Sequence, residues 1–427
     1  MRGLNPSVGG TIALVVFLAF AASPRLTAAE EPAGVVAATS IRGKAMCGYQ
    51  GWFRLPGDAA NLGWRHWSRV ARRITPETLT FEMWPDVSEY DPTSLHPAPG
   101  FTHPDGRPAS LFSSDHAATV RTHFEWMRDY GIDGAWLQQF LVELPGGQSP
   151  ESEPSRRRVV DHVRHAAERT GRVWALSYDM SSMPTDRIVE VLTADWKRMV
   201  DGAITRGPRY LQEGGRPVVQ VWGFYHRNEQ NRMTAEVAAR LIDFFKEPGP
   251  YSAFLMGGGD WEWRKNPDPA WQAFLRRFDA YSPWNVGNTS MDAAGTRHAS
   301  MGHWAEDKRE AERRGVLWVP VVYPGFSWDN LKRQPPGTTT VPRNGGRFFW
   351  EQFHELTRLG ADCVYIAMFD EVDEGTAIFK VTSTPPTQAH FVGYDGLPGD
   401  WYLRLAGEGA KMLRGDRPAS AEIPIRP

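Results

Sequence analysis

Apolar positions along the chain alternate between two kinds of run. Short, continuous, β-rich stretches at 45–53, 132–140, 173–180, 217–224, 253–258, 280–286, 316–323 and 363–369 read as strands buried on both faces, as in a parallel sheet. Between them the apolar residues recur at helical spacing. Ala117, Val120, Phe124 and Met127 share one face, with Gly131 as a stop. Ile188, Leu192, Trp196 and Met199 form a second stripe, with Pro184 and Asp186 near its start. Phe349, Phe353 and Leu356 form a later stripe closed by Gly360, and a last helix is expected over 402–413. Eight strands alternating with helices predict an α/β fold, a single-domain (β/α)8 TIM barrel. An open doubly wound sheet is the alternative. No GxGxxG opens a helix after the first strand, so nothing points to a dinucleotide.

One connection breaks the rhythm. Residues 54–114 are rich in Pro, Gly, Asp and Trp, and read as a long insertion after the first strand. Loops of this length inside a compact domain are usually functional, and this one would lie over the C-terminal mouth of the barrel, where active sites are built.

The predicted strand tips supply the candidate chemistry. They present Tyr49, Gln50 and Trp52; Trp136, Gln138 and Gln139; Tyr178 and Asp179; Gln220 and Trp222; Asp260, Trp261 and Glu262; Trp284 and Asn285; and Tyr323 through Trp328. Flat aromatic faces mixed with amide, phenol and carboxylate groups suit a sugar, whose C–H faces stack and whose hydroxyls need paired polar partners. The last strand runs directly into Asp370, Glu371, Asp373 and Glu374, with Gly375 ending the run. Crowded carboxylates raise one another's pKa, and glycosidic cleavage needs one carboxyl protonated beside one ionised.

Composition narrows the field. The net charge of -2 gives no reason to expect nucleic acid or an anionic membrane surface as partner, and 18 Trp residues fit a carbohydrate-active protein. The histidines are scattered without metal-ligand spacing and no G-x-S-x-G elbow is present, so neither a metal nor another cofactor is expected. Arg2, the apolar run 11–22 and Thr27-Ala28-Ala29 read as a secretory signal over 1–29, leaving a domain of 30–427 that is secreted or periplasmic, with no membrane association after cleavage. Cys47 and Cys363 would sit on neighbouring strands, as two buried thiols or as a disulfide.

The stretches Val319-Pro320-Val321-Val322-Tyr323-Pro324-Gly325-Phe326, Arg343-Asn344-Gly345-Gly346, Phe349-Trp350 and Phe369-Asp370-Glu371-Val372-Asp373-Glu374-Gly375-Thr376 resemble glycoside hydrolase family 99, which is related to family 71. Gly48-Tyr49-Gln50-Gly51-Trp52-Phe53 resembles that family's first strand. The resemblance implies a (β/α)8 barrel related to the endo-α-mannosidases, acting with retention on an α-linked oligo- or polysaccharide of the α-mannan or α-glucan type. It places the paired family glutamates on Glu371 and Glu374. Glu371 would then take the proton of the sugar 2-hydroxyl, and Glu374 would serve as general acid and base. Where the family motif has Asn, Trp and His, this chain has Asp370, Val372 and Asp373. Tyr49, Trp52, Trp136, Gln138, Tyr178, Asp179, Trp222, Tyr323, Trp328 and Asp370 are the candidate substrate-binding residues. The alternatives are a non-catalytic carbohydrate-binding barrel and an inverting hydrolase using Asp179 with Glu371.

Overall fold

The computed structural model describes residues 34–224 and 233–427. The predicted leader over 1–29 lies outside the described residues. In chain order the first half comprises β1 (Ala45–Tyr49), β2 (Leu95–Thr102), β3 (Pro108–Phe112), α1 (Ala117–Asp129), β4 (Gly134–Phe140), α2 (Glu153–Thr170), β5 (Val173–Asp179), α3 (Thr185–Asp201), β6 (Gln212–Glu213) and β7 (Arg216–Phe224). The second half comprises α4 (Ala235–Lys246), β8 (Phe254–Gly259), α5 (Pro269–Leu275), β9 (Ala280–Pro283), β10 (Thr289–Met291), β11 (Arg297–Ala299), α6 (Trp304–Arg314), β12 (Leu317–Trp318), β13 (Val321–Val322), α7 (Asp329–Lys332), α8 (Arg347–Leu359), β14 (Val364–Ile366) and α9 (Trp401–Arg414).

A curled sheet organises these elements, with strands in the order β12-β9-β8-β7-β5-β4-β1-β14-β13. Successive large strands pair in parallel, β1 with β4 and β14, β4 with β5, β5 with β7 and β7 with β8. The order advances without the reversal that marks a doubly wound sheet. The two ends of the sheet lie close in sequence. Leu317 and Trp318 pair with β9, whereas Val321 and Val322 pair with β14. Pro320 separates them and has no N–H to give to a ladder, which is why the predicted strand 316–323 is observed as two short pieces.

The helices follow the predicted stripes. Val120, Phe124 and Met127 of α1 and Ile188, Leu192, Trp196 and Met199 of α3 are buried against the sheet. The α8 helix ends at Gly360, whose φ of 66° lets its N–H turn back to the carbonyls of Leu356 and Thr357. The strands are so closely packed that some positions admit no side chain: a Cβ at Gly134 would overlap the Val173 carbonyl on β5.

The register also settles the cysteines. Cys47 stands opposite Ile366, whereas Val364, the residue after Cys363, stands level with Ala45. Both thiols are free and buried. Between β1 and α1 the chain folds over the C-terminal ends of the strands as an irregular cover that contains the β2–β3 ribbon. Tyr90 of this cover and Tyr49 of β1 bracket the His123 ring, at 2.6 Å from Nε2 and 2.8 Å from Nδ1.

Gly134→Ala is expected to force β4 and β5 apart and to lower stability by roughly 1–3 kcal/mol. Thermal unfolding followed by circular dichroism reads this as a fall in Tm; an unchanged Tm would show that the strand contact can relax.

Candidate active site

The site begins where β1 leaves the sheet. Asp370, just past β14, accepts hydrogen bonds from the backbone N–H groups of Gln50 and Gly51 at 2.8 and 2.9 Å. On the other side of the same turn, Arg156 of α2 donates to the carbonyls of Gln50 and Gly51 at 3.0 and 3.1 Å. Arg54 adds bonds to Gly51 O and Phe53 O at 3.0 and 2.9 Å. Gly51 sits at a φ of 55°, and its amide and carbonyl are thus gripped by opposite charges.

That grip aims Gln50 at the acids. Gln50 Nε2 donates to Glu371 Oε1 at 2.7 Å, and Thr376 Oγ1 donates to Glu371 Oε2 at 3.0 Å. No described residue donates a hydrogen bond to the Glu374 carboxyl; its backbone carbonyl receives Ser327 N at 2.9 Å. Gly375 makes the turn after it at a φ of 61°, where a Cβ would lie 2.8 Å from Ser327 N. Two further side chains fix this loop from outside. Glu82 of the cover accepts from Ser327 Oγ at 3.0 Å, Asn330 N at 2.7 Å and Leu331 N at 3.2 Å. Arg343 donates to Gly375 O and Ala377 O at 2.7 and 3.0 Å, with its guanidinium stacked on Tyr394 and Tyr402.

Glu371 and Glu374 open onto one cleft of ≈ 730 Å³ at the C-terminal end of the sheet. Of the residues named from sequence, Trp52, Gln138, Asp179, Trp222 and Trp328 line the same cleft. Trp52 does so with both faces already covered, by His66 at 3.9 Å and by Phe140 at 5.0 Å between ring centroids. It is a wall, and its faces are not open to a sugar.

Five of the candidates lie elsewhere. Tyr49, Tyr178 and Tyr323 turn away from the cleft: Tyr178 OH bonds Asp195 at 2.8 Å, and Tyr323 OH bonds Asn288 O at 3.1 Å with its ring against Phe348. The cause is the two-residue alternation of a strand, which sends Tyr49 and Tyr178 outward when Gln50 and Asp179 point in. Trp136 is buried beneath the cleft and stacks on Tyr365, whose OH receives Gln138 Nε2 at 3.1 Å. Asp370 is likewise buried, its carboxylate consumed by the β1 turn. Phe140, Ser181, Arg297 and Thr338 through Thr340 line the cleft and were not singled out by the sequence pattern. Phe140 is the last residue of β4, and the others lie off the parallel sheet, where its periodicity carries no signal.

Burial governs the protonation of the cluster. It pushes Asp370 up to about 6 despite its two backbone donors, and Asp179 up to about 6 as well. Burial raises Glu374 to about 7, with Lys332 opposing and Asp179 adding to the rise. Glu371 is pushed well above the usual carboxylate range, by burial first and then by the charges of Glu374 and Asp373, while Thr376 and Gln50 oppose. Asp373 is pushed up by burial and by Glu374; its Oδ1 has no hydrogen-bond partner and its Oδ2 lies 3.6 Å from His66 Nδ1. His66 is held neutral by burial and nearby arginines, so it brings Asp373 no full counter-charge.

A carboxyl whose pKa is raised by folding holds its proton more tightly in the folded state. Its contribution to stability is complete only below about pH 3, well under the unfolded value of roughly 3.9, and is lost as pH rises through the raised folded value. Asp373→Asn removes one such group. The variant is expected to unfold at least about 2 °C higher than wild type at pH 8 and at the same temperature near pH 3. A calorimetric Tm series across that range checks it; a gain confined to acid pH would contradict the assignment.

Residues 287–414 match the family model described as glycosyl hydrolase family 99, and the matched span includes Glu371 and Glu374. No curated protein matches the chain. In fold it is similar to a GH99 endo-α-mannosidase from Bacteroides thetaiotaomicron, with a TM-score of 0.64 and 15% identity over 88% of this chain and 99% of that one. The complex of that organism's GH99 endo-α-mannosidase with bis-tris propane gives a TM-score of 0.63 at 15% identity, with the same coverage of both chains. The acid pair opens onto one cleft within the span that matches the glycosyl hydrolase family 99 model, and the chain shares its fold with GH99 endo-α-mannosidase structures, which together support a glycoside hydrolase.

Proposed function

We propose that the enzyme cleaves an α-linked glycan of the α-mannan or α-glucan type, within the chain and with retention, through Glu371 and Glu374. The observation that supports this reading best is the unequal hydrogen bonding of two glutamates on one cleft. Glu371 has a donor on each oxygen, which opposes the rise that burial and the neighbouring acids impose on it and favours its charged form; Glu374 has none and is suited to keep a proton. In the first step Glu371 removes the proton of the 2-hydroxyl, O2 attacks the anomeric carbon, and the bond to the leaving oxygen breaks as Glu374 protonates it. In the second step Glu374 takes a proton from water, which opens the 1,2-anhydro sugar, and Glu371 returns its proton to O2. Both steps need the pair to hold a single proton. Mutual repulsion widens the pH range of that state, and the pair titrates as a unit.

The proposal includes a closed eight-stranded barrel in which residues 317–322 act as one strand, shared by β9 and β14 across the Pro320 interruption. It also includes a removable leader over 1–29 and a secreted or periplasmic site of action. Among the described residues no helix is long and apolar enough to cross a membrane. An inverting reaction with Asp179 and Glu371 is the second reading, favoured by Asp179 lining the same cleft at a pKa of about 6. Inversion would need a carboxyl separation of roughly 6.5–9.5 Å to admit water.

Proton NMR of the enzyme with α-mannans and α-glucans tests both readings. The α-anomer is expected as the first product, and the β-anomer would favour inversion. Glu371→Gln and Glu374→Gln are each expected to lower kcat by at least about 10²-fold with Tm retained; activity within a few-fold of wild type in either variant would remove the assignment. The dependence of kcat/KM on pH is expected to be bell-shaped with its optimum near neutrality, as a doubly protonated pair loses the base and a doubly ionised pair loses the acid.

A further inference from the structure

Among the described residues, one cation lining the cleft has no partner. Arg297 lines it from the β10–β11 ribbon, and its guanidinium makes no hydrogen bond or ion pair with any described residue. Only its backbone carbonyl is engaged, by Asn344 Nδ2 at 3.2 Å. The arginines on the other side of the cleft are occupied: Arg54 and Arg156 hold the β1 turn. Nor does Arg297 serve as counter-charge to the acids. The cation that holds Glu374 down is Lys332, and Arg297 is not among the groups that perturb Asp179, Glu371 or Glu374.

The support under Arg297 is firm. Its neighbours His298 and Ala299 are tied to Glu351 of α8, at 2.8 Å to His298 Nδ1 and 3.1 Å to Ala299 N. Across the ribbon Arg297 stands opposite Met291, so the two side chains share one face. Met291 is 61% exposed, the large apolar residue that the described surface leaves most open. A guanidinium on an anchored ribbon beside an open thioether, at the edge of a cleft whose other polar groups include amides, hydroxyls and carboxyls, is a place for an oxyanion attached to an otherwise neutral chain. Guanidinium geometry matches carboxylate, sulfate and phosphate oxygens two at a time.

We propose that Arg297 binds an anionic substituent of the glycan, a carboxylate, sulfate or phosphate on a sugar near the bond that is cut, and so selects a charged α-glycan over its neutral counterpart. The proposal rests on the glycosidase reading above and adds the charge of the substrate to it.

The test is titration calorimetry on the Glu374→Gln enzyme, which retains substrate uncut. The ligands are α-mannan oligosaccharides in four forms: neutral, oxidised to the uronate at the primary alcohol, sulfated, and phosphorylated. At least one charged form is expected to bind about tenfold more tightly than the neutral one at low salt, with the difference shrinking as salt is added. Adding Arg297→Gln should abolish that ratio, and Arg297→Lys should keep part of it. Equal binding of all four forms overturns the proposal. A preference that survives Arg297→Gln, or a loss shared equally by neutral and charged ligands, also overturns it. If neutral oligosaccharides bind, and wild type cuts them, without any preference for charge, the glycosidase reading stands and this proposal alone falls. If no form binds and none is cut, both fall together.

Discussion

The turn at the end of β1 is the constraint on which the site depends. A buried carboxylate on one strand, Asp370, takes two consecutive amide protons from the next, while two buried arginines take the carbonyls facing the other way. Each charge would be strongly disfavoured alone at this depth, and the turn between them has unsatisfied backbone groups of both signs. Together they fix the direction in which Gln50 leaves the strand, and Gln50 fixes one oxygen of Glu371. The geometry of the reacting glutamate is therefore set by a residue next to it in sequence acting through the backbone of a different strand.

The acid loop itself is held by neutral or outlying groups. The Glu82 backbone N–H reaches Val372 O and its carboxylate holds the neighbouring Ser327–Leu331 segment, while Arg343 ties the loop to the C-terminal helix through stacked tyrosines. No described cation sits within ion-pair distance of Glu371 or Glu374. Burial, with no ion pair to offset it, raises both carboxyls, Glu374 to about 7. A salt bridge at the same place would leave a carboxylate fully ionised and useless as an acid.

Much of this architecture was legible in the sequence because it is periodic. Uninterrupted apolar runs gave the parallel strands, glycines marked helix ends such as Gly360, and acids at a strand tip marked the cleft. What could not be read was parity. A tip residue points into the cleft or out to the helices according to a one-residue register, and Tyr49, Tyr178 and Tyr323 fell on the outward side. Chemistry off the strands was equally silent. Arg297 on a short ribbon and the threonines before Val341 meet the cleft through contacts distant in sequence. Asp370 illustrates a third limit: its place beside the catalytic pair suggested a sugar ligand, yet the backbone of the neighbouring strand claims its oxygens.

The ring stack around Trp52 joins three separate parts of the chain: the β1 exit, the end of β4 through Phe140, and the cover through His66, which holds a φ of 65° to reach it. The cover thus reaches the rim of the cleft through the His66 ring on Trp52. A sugar can stack on the His66 side of Trp52 only by displacing the imidazole, so occupancy of that face and closure of the cover are competing events at one indole.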